Sequence, residues 1–186
     1  MLTTTLKAKP CGHCGSIFTP ARSMQAVCSP ICAARSVKAK NTQERAQFKE
    51  RKAKLKRIPD LIKEAQTAFN AFIRERDRGQ PCICCGQPLG TGSVGGAFDC
   101  GHYRSVGSAS HLRFNVDNAH GQRKQCNRYG AGRAVDYRIG LIARIGLPAV
   151  EALEASNTPH KWERDELIAI KALYVGKLKE LKKGQA

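Results

Sequence analysis

Four short strings decide how this chain reads: Cys82-Ile83-Cys84-Cys85-Gly86, Asp99-Cys100-Gly101-His102-Tyr103, Asn115-Val116-Asp117-Asn118-Ala119-His120 and Cys126-Asn127-Arg128. Cysteines two or three positions apart have the spacing of metal ligands. On their own they point to a zinc knuckle. They leave unexplained a histidine in a short β-like stretch, followed by asparagines on either side of the final cysteine.

Upstream, Cys11-Gly12-His13-Cys14 and Cys28-Ser29-Pro30-Ile31-Cys32 lie thirteen residues apart and read as two knuckles presenting four thiolates to one tetrahedral zinc. Ile17, Phe18, Val27 and Ile31 are too few for a core, so metal binding supplies most of the folding free energy there. The nine cysteines are an odd number in a chain that shows no apolar N-terminal signal. Reduced, metal-bound thiols in an intracellular setting fit this better than a disulfide scaffold. His13, His111 and His160 read as loop or surface residues.

The charge names the partner class. Lysine and arginine number 32 against 15 acidic residues, a formal charge of +17, which favours a polyanion. No apolar run is long enough to span a bilayer, so nucleic acid is expected rather than membrane. Residues 33–57 contain neither Gly nor Pro and read as a helix. Arg35, Lys38, Lys40, Arg45, Lys49, Arg51, Lys52, Lys54, Lys56 and Arg57 outweigh Glu44 and Glu50 there. That one-signed pattern predicts a phosphate-tracking element, with Arg51, Lys52, Lys54 and Lys56 as contacts. Pro59 breaks this segment and Asp60 is placed to cap the next. Leu61, Ile62, Ala65, Phe69, Phe72 and Ile73 recur at helical spacing, as a core-facing helix or a dimer seam. A last helix is predicted from Thr158-Pro159 through Trp162, Leu167, Ile170, Leu173, Tyr174, Leu178 and Leu181 to Gly184.

The central strings resemble the HNH, or ββα-metal, nucleases over about residues 82–130, with His102, Asn118 and Asn127 at the three motif positions. The Cys126-Asn127 junction also resembles phage endonuclease VII. Over essentially the whole length, the Asp-x-Gly-His-Tyr string and the Leu112-Arg113-Phe114 approach to the Asn loop resemble the NinG, or Rap, family of lambdoid-phage recombination proteins.

The resemblance implies an α+β, mainly helical chain in four parts. These are an N-terminal zinc ribbon (1–34), a basic helical segment (35–79), an HNH-like ββα-metal centre (80–132) and C-terminal helices (133–186). It also implies a metal-dependent endonuclease acting on Holliday junctions and D-loops in the host cytoplasm, as a homodimer with a seam between residues 33 and 78, alongside phage recombination proteins. His102 is then the general base, Asn127 a ligand of Mg²⁺ or Mn²⁺, Asn118 the residue that pins the loop and orients His102, and Asp99 the carboxylate ligand. Arg104, Arg113, Arg123, Lys124 and Arg128 flank this centre as phosphate contacts.

Two positions depart from the HNH pattern. Gly101 stands where an acidic residue or second histidine often precedes the base. Arg123 stands where the first cysteine of a second pair is expected. The second zinc therefore has Cys82, Cys85 and Cys126, with Cys100, Cys84 or His120 as fourth ligand and Cys100 preferred, so that one or two structural zinc sites are expected. Strand alternation would point Asp99 and His102 to opposite faces unless Gly101 bends the strand. Two other functions remain open: a non-catalytic zinc-finger protein binding branched or single-stranded DNA, and a structural RNA-binding protein.

Overall fold

The computed structural model describes residues 6–90 and 97–184. It divides into two compact units, Met1–Lys56 and Arg57–Ala186, so the basic helix and the helix that follows it belong to different units.

In the first unit, β1 (Lys9–Pro10) pairs antiparallel with β2 (Ile17–Phe18) around the turn carrying Cys11 and Cys14. Gly15 closes that turn with φ 73°, a conformation that suits a residue without Cβ. The second knuckle runs directly into α1 (Pro30–Lys54). Ser29 accepts a hydrogen bond from the Cys32 N–H at 3.2 Å, and Pro30 takes the first helical position. The helix therefore starts three residues before the sequence pattern suggested, with Cys32 in its first turn. Cys32 is the only buried residue of α1.

The second unit is built on α2 (Ile58–Arg76). Pro59 lies inside its first turn, and the Asp60 carboxylate accepts from the Arg57 N–H at 3.3 Å, so these residues start the helix rather than precede it. Leu61, Ala65, Phe69 and Ile73 form its buried stripe and pack against Leu167 and Tyr174 of α5 (Arg164–Lys183). The Phe69 ring meets that of Tyr174 edge-on at 4.8 Å and that of Phe114 at 5.8 Å. α5 begins at Arg164, not at Thr158: Glu163 and Glu166 form a reciprocal cap, and Trp162 precedes the helix to pack on Phe114 at 4.8 Å.

Between these helices lies a small sheet. β3 (Asp99–His102) pairs antiparallel with β4 (Ala119–Gln122), with Asp99 opposite Gln122 and His102 opposite Ala119. A single helical turn, Gln125–Tyr129, follows; its Gly130 N–H reaches back five residues to the Gln125 carbonyl. Next come α3 (Ala134–Ile145) and α4 (Leu147–Ala155), which with Ile83 and Leu112 enclose a second apolar cluster around Tyr137 and Leu141. The described residues are thus mainly helical. No helix among them is long and apolar enough to cross a membrane.

One buried charge ties these parts together. Asp77, at the end of α2, is 3% exposed and receives the Arg76 guanidinium at 2.6 and 3.0 Å and the Gly121 N–H at 2.6 Å. Arg76 also donates to the carbonyls of Val116 and Ala119. His120, weighed above as a zinc ligand, lies 3.7 Å from Asp77 and belongs to this network.

Candidate functional site

Two sets of four thiols are brought together. The Sγ atoms of Cys11, Cys14, Cys28 and Cys32 all lie within 4.8 Å of one another, as do those of Cys82, Cys84, Cys85 and Cys126. Individual separations are 3.7 Å for Cys14–Cys28, 3.6 Å for Cys28–Cys32 and 3.5 Å for Cys82–Cys84. A tetrahedron of Zn–S bonds near 2.3 Å has edges of about 3.8 Å, so both sets fit zinc. Backbone donors favour thiolates: the Cys14 amide leads in pulling Cys11 down to about 6. Burial works against ionisation of Cys82, yet the amides of Arg123, Cys85 and Cys84 bring it down to about 7. The thiol beside each is pushed up to about 12, Cys28 by its three neighbouring sulfurs and Cys84 first by burial. Ionised together, four sulfurs so close would need a cation among them, and each set could hold a zinc ion.

The fourth member of the second set is Cys84, not Cys100. Cys100 packs against the α2–α5 core, and burial pushes its thiol up to about 12. Arg123, at the position of the missing cysteine, contributes its N–H to Cys82 Sγ at 3.3 Å. The packed Cys-x-Cys-Cys string was the only signal for Cys84 in the sequence, where the Cys82/Cys85 spacing singled out Cys85 and left Cys84 as one candidate among three.

Next to this knuckle lies an open cavity of about 830 Å³ whose wall includes His102, Tyr103, Ser105, Ser108, Asn127, Gly132, Tyr137 and Glu154. His102 Nε2 is 3.0 Å from the Arg113 carbonyl. A carbonyl can only accept, so the proton sits on Nε2 and Nδ1 keeps its lone pair. Burial, and secondarily the charge of Arg113, lower the pKa of His102 and keep the ring neutral. The loop between β3 and β4 is held by Asn118, which is fully buried. Its Oδ1 accepts from the Arg104 N–H at 2.8 Å, and its Nδ2 donates to the carbonyls of Arg104 at 3.0 Å and Leu112 at 3.2 Å.

Asp99 does not line the cavity. It reaches the site through Asn127, whose Nδ2 donates to Asp99 Oδ2 at 3.1 Å, leaving the amide oxygen for other partners. Arg128 clamps the same carboxylate at 2.8 and 2.9 Å. Burial raises the pKa of Asp99, but these donors outweigh it and hold the group ionised. Gly101 has a steric reason: a Cβ there would come 2.1 Å from Gln122 Oε1. The buried Gln122 crosses the strand at that point to donate to the Gly132 carbonyl at 2.8 Å.

Glu154 is the acidic group of the cavity wall, and the sequence reading missed it. It receives Arg138 at 2.7 and 3.1 Å together with the Tyr103 hydroxyl, and these lower it to about 2. No motif marked it, because α4 is distant in sequence from the strands.

Two of the expected phosphate contacts are committed elsewhere. The Arg104 guanidinium donates to the carbonyls of Leu153, Glu154 and Ser156 and to Asn157 Oδ1, closing the C-terminal end of α4. Arg113 is half-buried and donates to Gln66 Oε1 at 3.2 Å and the Val106 carbonyl. Arg123 and Lys124 are half-buried, and Arg128 is exposed while paired with Asp99. His111 donates within hydrogen-bonding distance to the Ser156 carbonyl, and His160 meets Trp162 edge-on at 4.3 Å.

Comparison with known proteins agrees on one family. The family model described as "NinG: Bacteriophage Lambda NinG protein" matches residues 3–185. Protein ninG of Escherichia phage lambda is 38% identical over 193 residues, covering 94% of this chain and 92% of the relative. Protein ninG of Salmonella phage P22 is 39% identical over 189 residues, covering 91% of each. That of Escherichia phage 933W is 39% identical over 202 residues, covering 96% and 98%. No solved structure matches the chain. Matched along nearly its whole length by the family model and by these relatives, the chain belongs to the NinG family.

Proposed function

We propose that this protein is a metal-dependent endonuclease that nicks branched DNA, Holliday junctions and D-loops, during phage recombination. The observation that carries this reading is that His102 and Asn127 share the wall of one open cavity, each with its orientation fixed from behind: His102 by the Arg113 carbonyl and Asn127 by Asp99. His102 Nδ1 accepts the proton of the water that attacks phosphorus, a role suited to an imidazole that is neutral at pH 7. Asn127 Oδ1 is the atom on this wall that would hold Mg²⁺ or Mn²⁺, which when bound relieves charge on the phosphate and the leaving 3′ oxygen. Asp99 acts as a positioning residue for Asn127 rather than as a ligand of its own. Asn118 keeps the loop that carries the Arg113 carbonyl in register with β3. The charge of +17 supports a nucleic-acid substrate. The preference for branched DNA rests on the family resemblance, and paired nicks call for a homodimer.

The test is cleavage of a labelled four-way junction beside a linear duplex of the same sequence, with Mg²⁺, Mn²⁺ or neither. Junction-selective, metal-dependent nicking that His102→Ala abolishes while binding persists is the expected result. One observation favours the other reading, a non-catalytic protein that binds branched DNA: Asp99 is neutralised by Arg128 and the adjoining position is Gly101. Tight junction binding without a cut in either metal would establish that reading instead.

A further inference from the structure

The cations of α1 are not spread evenly around the helix. At 100° per residue, Arg35, Lys38, Arg45, Lys49 and Lys52 fall within about 60° of one line along the helix. All five are exposed. Both acidic residues of α1 lie about 120° from that line, where they are ion-paired one turn away: Glu44 with Lys40 at 4.0 Å and Glu50 with Lys54 at 2.8 Å. Arg51 is on that far side too. The helix thus has one face of five cations without a carboxylate and a second face whose charges largely cancel. A merely solvated helix gains from spreading its acids among its bases, since like charges three or four residues apart repel. Here the repulsion of Arg45, Lys49 and Lys52, spaced four and three residues apart, is left unrelieved.

We infer that this face of α1 is a binding surface for the phosphate backbone of duplex DNA, and that Arg35, Lys38, Arg45, Lys49 and Lys52, rather than Arg51 and Lys54, make the contacts. The inference rests on the nucleic-acid part of the proposed function and not on catalysis. The stripe spans about 25 Å of helix at 1.5 Å per residue, long enough to follow several phosphates. Lipid is a poorer occupant: a helix lying on a membrane needs a continuous apolar face, and the exposed Ile31, Val37 and Phe48 do not make one. Double-stranded RNA is poorer as well, because its deep, narrow major groove excludes a helix that the wider groove of B-form DNA admits. Exposure along α1 leaves this face open, and Cys32 in the first turn fastens the helix to the first thiol cluster.

The experiment compares two full-length triple variants that each remove three positive charges: Lys38→Gln/Arg45→Gln/Lys49→Gln on the stripe and Lys40→Gln/Arg51→Gln/Lys54→Gln on the far face. Equal zinc content and helical circular dichroism verify the fold. Fluorescence anisotropy then gives Kd for a 30-base-pair DNA duplex, a four-way junction and an RNA duplex from 50 to 300 mM KCl, with no added divalent ion. Each lost phosphate contact flattens the log Kd against log salt slope by about 0.9. The stripe variant should therefore lose about 2–3 units of slope on DNA, and the far-face variant less than one. Equal losses in both variants, no loss in either, or tighter binding to the RNA duplex would each overturn the inference. Junction cutting with an unchanged slope in the stripe variant would sink this inference alone. A stripe-dependent slope in a wild-type protein that never cuts would sink only the nuclease.

Discussion

At His102 burial and hydrogen bonding act in opposite directions. Burial disfavours the imidazolium and is the larger effect, while the bond to the Arg113 carbonyl favours it, and the result is a pKa below the unperturbed 6.5. Folding therefore releases a proton from this residue in the window just below 6.5, and the folded state loses stability as pH falls through it. Urea denaturation of wild type and His102→Gln from pH 7.5 to 5.5 should show wild type losing ground to the variant as acid is added. If junction cutting is observed, its acid limb should lie below 6.5 for the same reason. Asp77 is the contrasting case. Burial alone would raise it, but His120 and Arg76 draw it well below the usual carboxylate range. Its contribution is present above about pH 4 and fades below that. Asp77→Ala leaves the half-buried Arg76 and the Gly121 N–H without their shared acceptor and should cost about 1–3 kcal/mol at pH 7. A loss under about 1 kcal/mol in urea melts would mean the network is dispensable.

Elements meet most tightly where α3 crosses the second knuckle. A Cβ on Gly140 would sit 1.7 Å from the Ile83 carbonyl oxygen, a backbone atom fixed between Cys82 and Cys84. Gly140→Ala must push helix and knuckle apart, at a cost of about 1–3 kcal/mol or more. The expected signs are a lower Tm and weaker zinc retention under chelator, and an unchanged Tm would show that the two elements are free to slide. Arg104→Ala separates a cap from a DNA contact: stability should fall, while the salt slope of DNA binding stays as in wild type.

These contacts also mark how far the sequence could be read. The α2 stripe was legible because Leu61, Ala65, Phe69 and Ile73 obey a local period. That His102 and Asn127 lie on one cavity wall is what the resemblance to the HNH pattern led one to expect. Glu154, the role of Arg104 as a cap and the choice of Cys84 over Cys100 were not legible, since each depends on which distant segments pack together. The start of α5 was misplaced because Thr158-Pro159 imitates a helix start, and only Glu163 with Glu166 makes the reciprocal bonds.

For the whole molecule, the two thiol clusters set the conditions under which it exists. Elemental analysis of purified protein should find two zinc ions per chain. Structural zinc sites contribute about 10–16 kcal/mol of apparent binding free energy near neutral pH. Removing zinc with a strong chelator should release the first unit, where Cys11, Pro20 and Cys32 are the buried positions among the described residues. The α2–α5 core, which contains no zinc ligand, should keep its helical signal. Complete loss of helix on chelation would show that the core does not stand without metal.

The approach of Gln122 to Gly101 has a consequence for how this lineage can diverge. A side chain at 101 has to displace the Gln122 amide, and moving or shrinking Gln122 gives up the bond to the Gly132 carbonyl. The two positions should therefore covary across homologues, glycine accompanied by glutamine and a larger residue at 101 accompanied by a smaller one at 122. A path that changes 101 first should pass through a less stable form, which Gly101→Asp would show as a Tm below wild type that a smaller residue at 122 restores.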